Sequence, residues 1–130
     1  DESLYHFLEN SVRALDCCDD GLANFHLVFM IKLSRYLGFA PNNDGEEESY
    51  FDLLNGVFTQ EKPPHVHFIA ADVNSDFVKI MQSDYVDMPV IKMTREGRFR
   101  LLEALVEYYK LHVPEFYGLN SLPVLHALFD

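Results

Sequence analysis

Basic residues are concentrated in one segment of this sequence, IKMTREGRFR. The segment holds four of the ten lysines and arginines of the chain, Lys92, Arg95, Arg98 and Arg100. It is typical of a helix start capped by Thr94, where cations meet the positive end of the helix dipole. Arginine also binds carboxylates and phosphates through two parallel hydrogen bonds. The pattern therefore favours anion binding, since an anion offsets the unfavourable charge.

The anion for Arg95 and Arg98 can come from within the chain or from outside it. Arg100 can pair with Glu96 or Glu103 on the same helix, whereas Arg95 and Arg98 have no acidic residue three or four positions ahead. The internal candidates are Asp84, Asp87 and the acidic loop 42–48. The external candidate is a ligand that carries carboxylates or phosphates. Both interpretations stay open at the level of the sequence.

Two histidines have the spacing of metal ligands. His65 and His67 stand two apart in a predicted extended segment, so both can point to one face. A structural zinc site needs four ligands close together, and the sequence offers no second clustered pair. Its two cysteines, Cys17 and Cys18, are adjacent and form neither a C-x-x-C motif nor a disulfide framework. We therefore expect no metal and no cofactor, and interpret both histidines as ordinary surface residues.

Composition and charge exclude several classes of function. The sequence contains no G-x-S-x-G, H-E-x-x-H or G-x-x-x-x-G-K motif, so we expect no enzyme. A net charge of −11 argues against an autonomous nucleic-acid binder and against binding to anionic membranes. No apolar run approaches the roughly 20 residues of a membrane span. The cysteine usage fits a reducing, cytoplasmic location.

Apolar residues recur at three- and four-residue spacing near the start of the chain, which predicts two helices. The first spans residues 4–15. Its predicted buried face consists of Leu4, Leu8, Val12 and Leu15 and is widened by Tyr5 and Phe7. The second is more apolar, carries Lys32 and Arg35 near its end as a helix C-terminus favours, and stops at Gly38.

The middle of the chain leaves the helical pattern. Tyr50 to Phe58 is predicted to form a β-hairpin that turns at Asn55-Gly56, because this dipeptide lies between short apolar stretches. His65 to Ile69 is predicted to add an extended segment in which Val66 and Phe68 share one face.

Three further helices are predicted towards the C-terminus. Asn74 is expected to cap a short one, Thr94 a longer one and Ser121 a last short one, with extended backbone at Met88-Pro89. The helix that begins at Asn74 should bury Phe77, Ile80 and Met81. The apolar stripe of the helix that begins at Thr94 comprises Phe99, Leu102, Leu105 or Val106, Tyr109 and Val113. The fold class is thus mainly α, or α+β, a single helical bundle over residues 1–130 with a small inserted β-hairpin.

Three stretches together resemble a known family: ANFHLVFMIKLSRYLGFAPN, YFDLLNGVF and YYKLHVPEFYGLNSLPVLHALF. They are similar to the C-terminal domain of the RecO family of DNA repair and recombination mediators, in its Bacteroidetes form. The resemblance implies that this chain is the C-terminal piece of a longer protein whose N-terminal OB-fold domain is absent. It also implies a non-catalytic role, in which the full protein anneals single strands and, with RecR, loads recombinase onto DNA coated by single-stranded DNA-binding protein.

The resemblance further implies a binding site. In the family, this domain docks the acidic, Phe-ended tail of single-stranded DNA-binding protein in a pocket made largely from its first helices. By matching sequence order, Leu4, Tyr5 and Phe7 correspond to an aromatic cluster in the family's first helix and are the expected binding residues there. The charge pattern described above adds the cations Lys92, Arg95 and Arg98 to the expected partner-binding residues. Many members bind zinc through four cysteines around the hairpin, but no cysteine follows Cys18 here. The hairpin is therefore expected to depend on packing of Tyr50, Phe51, Phe58 and Phe68.

The leading hypothesis from the sequence is an interaction domain that contacts the tail and RecR and, as an isolated piece, binds single-stranded DNA only weakly. A second hypothesis is a helical assembly module that contacts only its own N-terminal domain. A third, a hydrolytic metal enzyme, requires His65 and His67 to bind a metal.

Overall fold

The computed structural model describes residues 2–16, 22–42 and 49–113. Helices dominate and a small antiparallel sheet is inserted between the second and third of them, which confirms the predicted fold class. The elements are α1 (Glu2–Asp16), α2 (Leu22–Leu37), β1 (Tyr50–Asp52), β2 (Val57–Thr59), β3 (Phe68–Ile69), α3 (Ala71–Met81), a 3₁₀ helix (Tyr85–Val90) and α4 (Arg95–His112). The acidic stretch 43–48 and the helix predicted after Ser121 lie outside the described residues.

The predicted hairpin is confirmed and gains a third strand. The sheet order is β2-β1-β3, and Phe51 of β1 pairs with Phe58 on one side and Ile69 on the other. The turn spans residues 53–56 and uses Gly56 at φ +70°, a backbone conformation that glycine adopts without strain. β3 is shorter than the predicted segment 65–69.

The core lies where α2, α3, α4 and the sheet meet. Phe51 is fully buried there, with ring centroids 4.8 Å from Phe58, 4.8 Å from Phe77 and 5.9 Å from Tyr108. β1 is thus fixed to α3 and α4 by aromatic packing.

The predicted ends of the two long helices are confirmed by their hydrogen bonds. Gly38 has φ +89°, and the N–H groups of Gly38 and Phe39 both donate to the carbonyl of Ser34, at 3.0 and 3.1 Å. At the start of α4, the hydroxyl of Thr94 accepts from the N–H of Gly97 at 2.9 Å.

The buried face of α1 differs from the prediction. Phe7 and Ser11 are buried, whereas Leu8, Val12 and Leu15 are exposed. Phe7 packs between aromatic rings of α2, and Ser11 shares a hydrogen bond of 2.6 Å with the hydroxyl of Tyr85. These contacts turn the aliphatic row Leu8–Val12–Leu15 towards solvent.

Three other local predictions are wrong. α3 begins at Ala71, so Asn74 is buried inside the helix and does not cap it, although the predicted apolar residues are buried. The segment around Pro89 is a 3₁₀ helix, which proline tolerates because its fixed φ matches that conformation. On α4, Phe99 is 59% exposed, because the helix turns Leu101, Leu105 and Tyr108 into the core.

Candidate partner-binding surface

Five aromatic rings form a continuous stack along α2, which we call the ring stack. Its members in order are Tyr36, Phe7, Phe29, Phe25 and Tyr85. Successive centroids are 4.6, 5.6, 5.9 and 5.2 Å apart, and the ring planes differ by 22°, 11°, 10° and 12°. The spacing of Phe25, Phe29 and Tyr36 places the three rings on one face of α2, where α1 inserts Phe7. The stack therefore joins α1, α2 and the 3₁₀ helix.

One end of the ring stack is open. Tyr36 is 45% exposed, and together with Lys32 and Arg35 it bounds a shallow surface depression, the Tyr36 depression. α1 runs antiparallel to α2, so Leu4, one turn before Phe7, lies towards this end. Leu4 is half-buried and Tyr5 is exposed. A further aromatic or aliphatic group can extend the stack here beside two cations.

Each cation of the depression already has a polar partner. The ammonium of Lys32 lies 3.0 Å from Oδ1 of Asp84 and 5.3 Å from the centroid of the Tyr85 ring. The guanidinium of Arg35 donates to the carbonyl of Met81, the last residue of α3, at 3.0 Å. A hydrogen bond from the Tyr85 N–H and another from Lys32 hold the pKa of Asp84 below its usual value.

The cations predicted from the sequence lie at the start of α4. Lys92 and Arg98 line a second shallow depression, and Arg98 donates to the carbonyl of Met93 at 3.1 Å. Within the described ranges no carboxylate forms an ion pair with Lys92, Arg95 or Arg98.

Two of the three internal candidates for this segment, Asp84 and Asp87, have other partners, and the third, the acidic stretch 43–48, lies outside the described residues. Asp84 pairs with Lys32, and Asp87 accepts from the Asp84 N–H at 2.9 Å. Arg100 pairs with Asp72 of α3 at 3.3 Å, so the predicted pairing with Glu96 or Glu103 is wrong. This long-range partner is supplied by the packing of α3 against α4.

The structure does not bring the two predicted halves of the site together. Asn24, in the first turn of α2, donates to the carbonyl of Ile91, the residue before Lys92. Phe7 stacks on Phe29 and Tyr36, five and twelve residues further along the helix, which corresponds to about 8 and 18 Å. The cations beside the aromatic half are instead Lys32 and Arg35. Both are visible in the sequence, but their position near a helix end suggests only a role in offsetting the helix dipole.

The two histidines contact carboxylates and are not free surface residues. Nε2 of His65 lies 3.0 Å from Oδ1 of Asp52, and Nδ1 of His65 accepts from the N–H of His67 at 3.0 Å. The ring of His67 bonds to the carboxylate of Glu107. Among residues 2–16, 22–42 and 49–113, no three His, Cys, Asp or Glu side chains are grouped as a metal site requires.

Asp52 organises the hairpin turn and gives it a pH dependence. Burial raises the pKa of Asp52, but hydrogen bonds from Asn55 and the close contact with the His65 ring outweigh it, and the pKa lies below its usual value. Oδ1 accepts from the N–H groups of Leu54 and Asn55, both at 3.0 Å. Ionised Asp52 therefore stabilises the fold above the unfolded-state pKa of about 3.9, and this contribution is lost as pH falls through the folded-state pKa.

We expect Asp52→Asn to lower the free energy of unfolding by about 1–3 kcal/mol at pH 7, because buried donors lose an ionised acceptor. The difference from the wild type should shrink as the pH falls below about 4, because the unfolded wild type is protonated first and the folded protein loses the charge at still lower pH. Urea denaturation of the wild type and of Asp52→Asn, at pH 7 and again below pH 4, measures the difference in the free energy of unfolding. Asp72→Asn, which removes an exposed carboxylate, is the control. If the difference in the free energy of unfolding is the same at neutral and acidic pH, ionised Asp52 is not the source of the stabilisation.

Comparison with known proteins decides the family. The family profile described as "Recombination protein O C terminal" matches residues 1–123. The chain belongs to the RecO C-terminal family. This confirms the resemblance seen in the sequence.

Relatives of the RecO C-terminal domain support the assignment along its whole length. The DNA repair protein RecO of Azobacteroides pseudotrichonymphae is 40% identical over 131 residues, which cover 100% of this chain and 54% of the relative. The RecO proteins of Bacteroides fragilis and Phocaeicola vulgatus are 43% and 42% identical, each over 98% of this chain and 53% of the relative. The chain thus spans about half the length of these curated relatives. No solved structure gives a significant match.

None of the described helices of the RecO C-terminal domain combines the length and the apolar character that crossing a membrane requires.

Proposed function

We propose that this RecO C-terminal domain is a non-catalytic interaction domain of a recombination mediator. It binds the acidic, Phe-ended tail of single-stranded DNA-binding protein and contacts RecR, within the cytoplasm. The full-length protein holds single-stranded DNA mainly through its N-terminal part, and this strongly acidic domain binds it only weakly. One observation carries the proposal: the ring stack is open at Tyr36, and two cations lie beside the opening.

The Tyr36 depression has the chemistry that such a tail requires. The terminal Phe ring of the tail stacks on Tyr36, the exposed end of the ring stack, with Leu4 and Tyr5 at the edge. Lys32 and Arg35 bind its carboxylates through charge-assisted hydrogen bonds. Leu4 and Tyr5 therefore stay in the proposed site as contact residues, and Phe7 stays in it as the buried ring that supports Tyr36.

Lys92, Arg95 and Arg98 form a separate proposed contact. They lie on the first turn of α4 and in the segment before it, without an ion pair to any carboxylate of the described chain. These side chains suit acidic residues of a bound polypeptide beyond its anchoring Phe, or an acidic surface of a second partner. In either case they affect the association rate and its salt dependence more than the anchoring step.

The experiment is a titration of the domain with a labelled acidic peptide that ends in Phe, at 0.15 M salt. Tyr36→Ala should weaken binding at least about 10-fold, because it removes the aromatic anchor surface. Arg95→Glu combined with Arg98→Glu should change the affinity about 3-fold or less. Phe99→Ala, which removes an exposed ring of α4, is the matched control.

Two results of this titration would contradict the proposal. If the double arginine variant abolishes binding and Tyr36→Ala does not, the tail binds at α4 and the Tyr36 depression is excluded. If the wild type does not bind the peptide, the tail-binding function is rejected.

A second candidate function is supported by the exposed apolar row of α1. Leu8, Val12 and Leu15 face solvent on a helix whose opposite face is packed. In this alternative the domain is an assembly module that contacts only its own N-terminal domain, and the row is buried in that contact. Protection of α1 from hydrogen exchange in the full-length protein, together with absence of peptide binding, favours it.

A further inference from the structure

The free domain already contains a carboxylate in the position that an acidic ligand must reach. Asp84 lies 3.0 Å from the ammonium of Lys32, and its charge also interacts with Arg35. These two cations are the ones that line the Tyr36 depression. Any ligand carboxylate that enters the depression therefore meets cations whose field Asp84 partly neutralises.

The exposure of the pair shows which partner is fixed and which can be replaced. The side chain of Lys32 is only 19% exposed and lies over the Tyr85 ring, whereas that of Asp84 is 61% exposed. Lys32 is thus held against the ring stack, and its carboxylate partner is open to solvent. Exchange of one carboxylate for another at Lys32 leaves no buried charge unpaired.

The backbone around Asp84 does not depend on the Lys32 contact. The Asp84 carboxylate accepts from the Tyr85 N–H at 2.6 Å, and the Asp84 N–H donates to Asp87 at 2.9 Å, which together cap the 3₁₀ helix. Asparagine also accepts at this position. The negative charge of Asp84 can therefore be removed while its capping oxygen is kept.

We propose that Asp84 is an internal competitor for Lys32, which a carboxylate of the bound acidic peptide displaces. This inference rests on the proposed function of the Tyr36 depression. It assigns a selectivity role to Asp84: a neutral or weakly acidic peptide cannot replace the existing ion pair, whereas a peptide with a free terminal carboxylate beside its Phe can. Removal of the Asp84 charge should consequently strengthen binding.

The test compares Asp84→Asn with Asp87→Asn in the same titration with the acidic, Phe-ended peptide. Asp84→Asn should bind about 3- to 5-fold more tightly than the wild type, the range of one partly exposed ion pair. Asp87→Asn removes an equal charge from the same 3₁₀ helix without a contact to Lys32, and should stay within about 2-fold of the wild type. With a peptide whose C-terminus is amidated, the gain from Asp84→Asn should be smaller.

The outcomes separate this inference from the function on which it rests. If the wild type binds and Tyr36→Ala weakens binding, but Asp84→Asn binds no more tightly than the wild type, Asp84 is not a competitor and the binding site stands. If both aspartate variants strengthen binding equally, the effect is one of net charge and the inference is rejected. If neither the wild type nor Asp84→Asn binds the peptide, both proposals are rejected.

Discussion

Replacement of Phe51 by alanine is expected to lower the free energy of unfolding by about 3–5 kcal/mol. Phe51 lies in the central strand of the sheet and is fully buried against rings of β2, α3 and α4. Truncation removes all three ring contacts and leaves a cavity that the paired backbone of β1 cannot close. Since domains of this size are stable by about 5–15 kcal/mol, the loss is a large part of the total.

Urea denaturation followed by circular dichroism measures the Phe51→Ala effect. Val66→Ala is the matched control, because Val66 is exposed beside the same sheet and its truncation should cost less than about 0.5 kcal/mol. A chelator should leave the unfolding midpoint of the wild type unchanged, since the hairpin lacks the cysteines that the family uses for zinc. A loss below about 1 kcal/mol for Phe51→Ala, or a fall in stability with chelator, contradicts the view that aromatic packing holds the hairpin.

The boundaries of the main elements follow from local sequence, and this is why they could be predicted. Gly38 ends α2 because its positive φ is accessible to glycine, and Thr94 starts α4 through a hydrogen bond three residues away. The hairpin at Asn55-Gly56 is equally local. Each of these signals involves residues that are neighbours in the chain, so no knowledge of tertiary packing is needed.

The faces that these elements bury could not be predicted from the same signals. α1 carries an aliphatic row and an aromatic residue on different faces, and the periodicity alone favours the longer row. Phe7 is buried because it packs against the rings of α2, and Phe99 is exposed because another side of α4 meets the sheet. The buried faces of α1 and α4 are therefore decided by elements distant in sequence.

The composition of the candidate site also depends on contacts between distant residues. Phe7, which the family resemblance named as a binding residue, lies in the ring stack, and the cations beside the open end of the stack are Lys32 and Arg35 of the adjacent helix. The ion pair of Lys32 with Asp84 joins residues 52 positions apart (84 − 32 = 52). Helical spacing rules cover pairs three or four residues apart and cannot detect it.

Phe7→Ala is expected to release α1 from the rest of the domain. Phe7 and Ser11 are the buried residues of α1, and Phe7 is the ring that inserts between Phe29 and Tyr36. Truncation of a buried phenylalanine costs about 3–5 kcal/mol. A 15-residue helix is marginal in water without tertiary contacts, so undocked α1 should also lose helicity.

Amide hydrogen exchange distinguishes this local release from global unfolding. In Phe7→Ala, protection of residues 2–16 should fall by about 100-fold or more, whereas the core amides of α3 and α4 should keep most of their protection. Leu8→Ala, on the exposed side of the same helix, should change α1 protection by less than about 5-fold. Uniform loss across all helices in Phe7→Ala indicates that α1 belongs to the cooperative core.

The release of α1 also links the fold to the proposed function. Leu4 and Tyr5 leave the edge of the Tyr36 depression when α1 undocks, and Tyr36 loses the stacking support of Phe7, although Tyr36, Lys32 and Arg35 remain on α2. Phe7→Ala should therefore weaken peptide binding, but less than Tyr36→Ala, which removes the anchor ring itself. Full affinity in a variant whose α1 amides exchange freely shows that α1 contributes nothing to the peptide site.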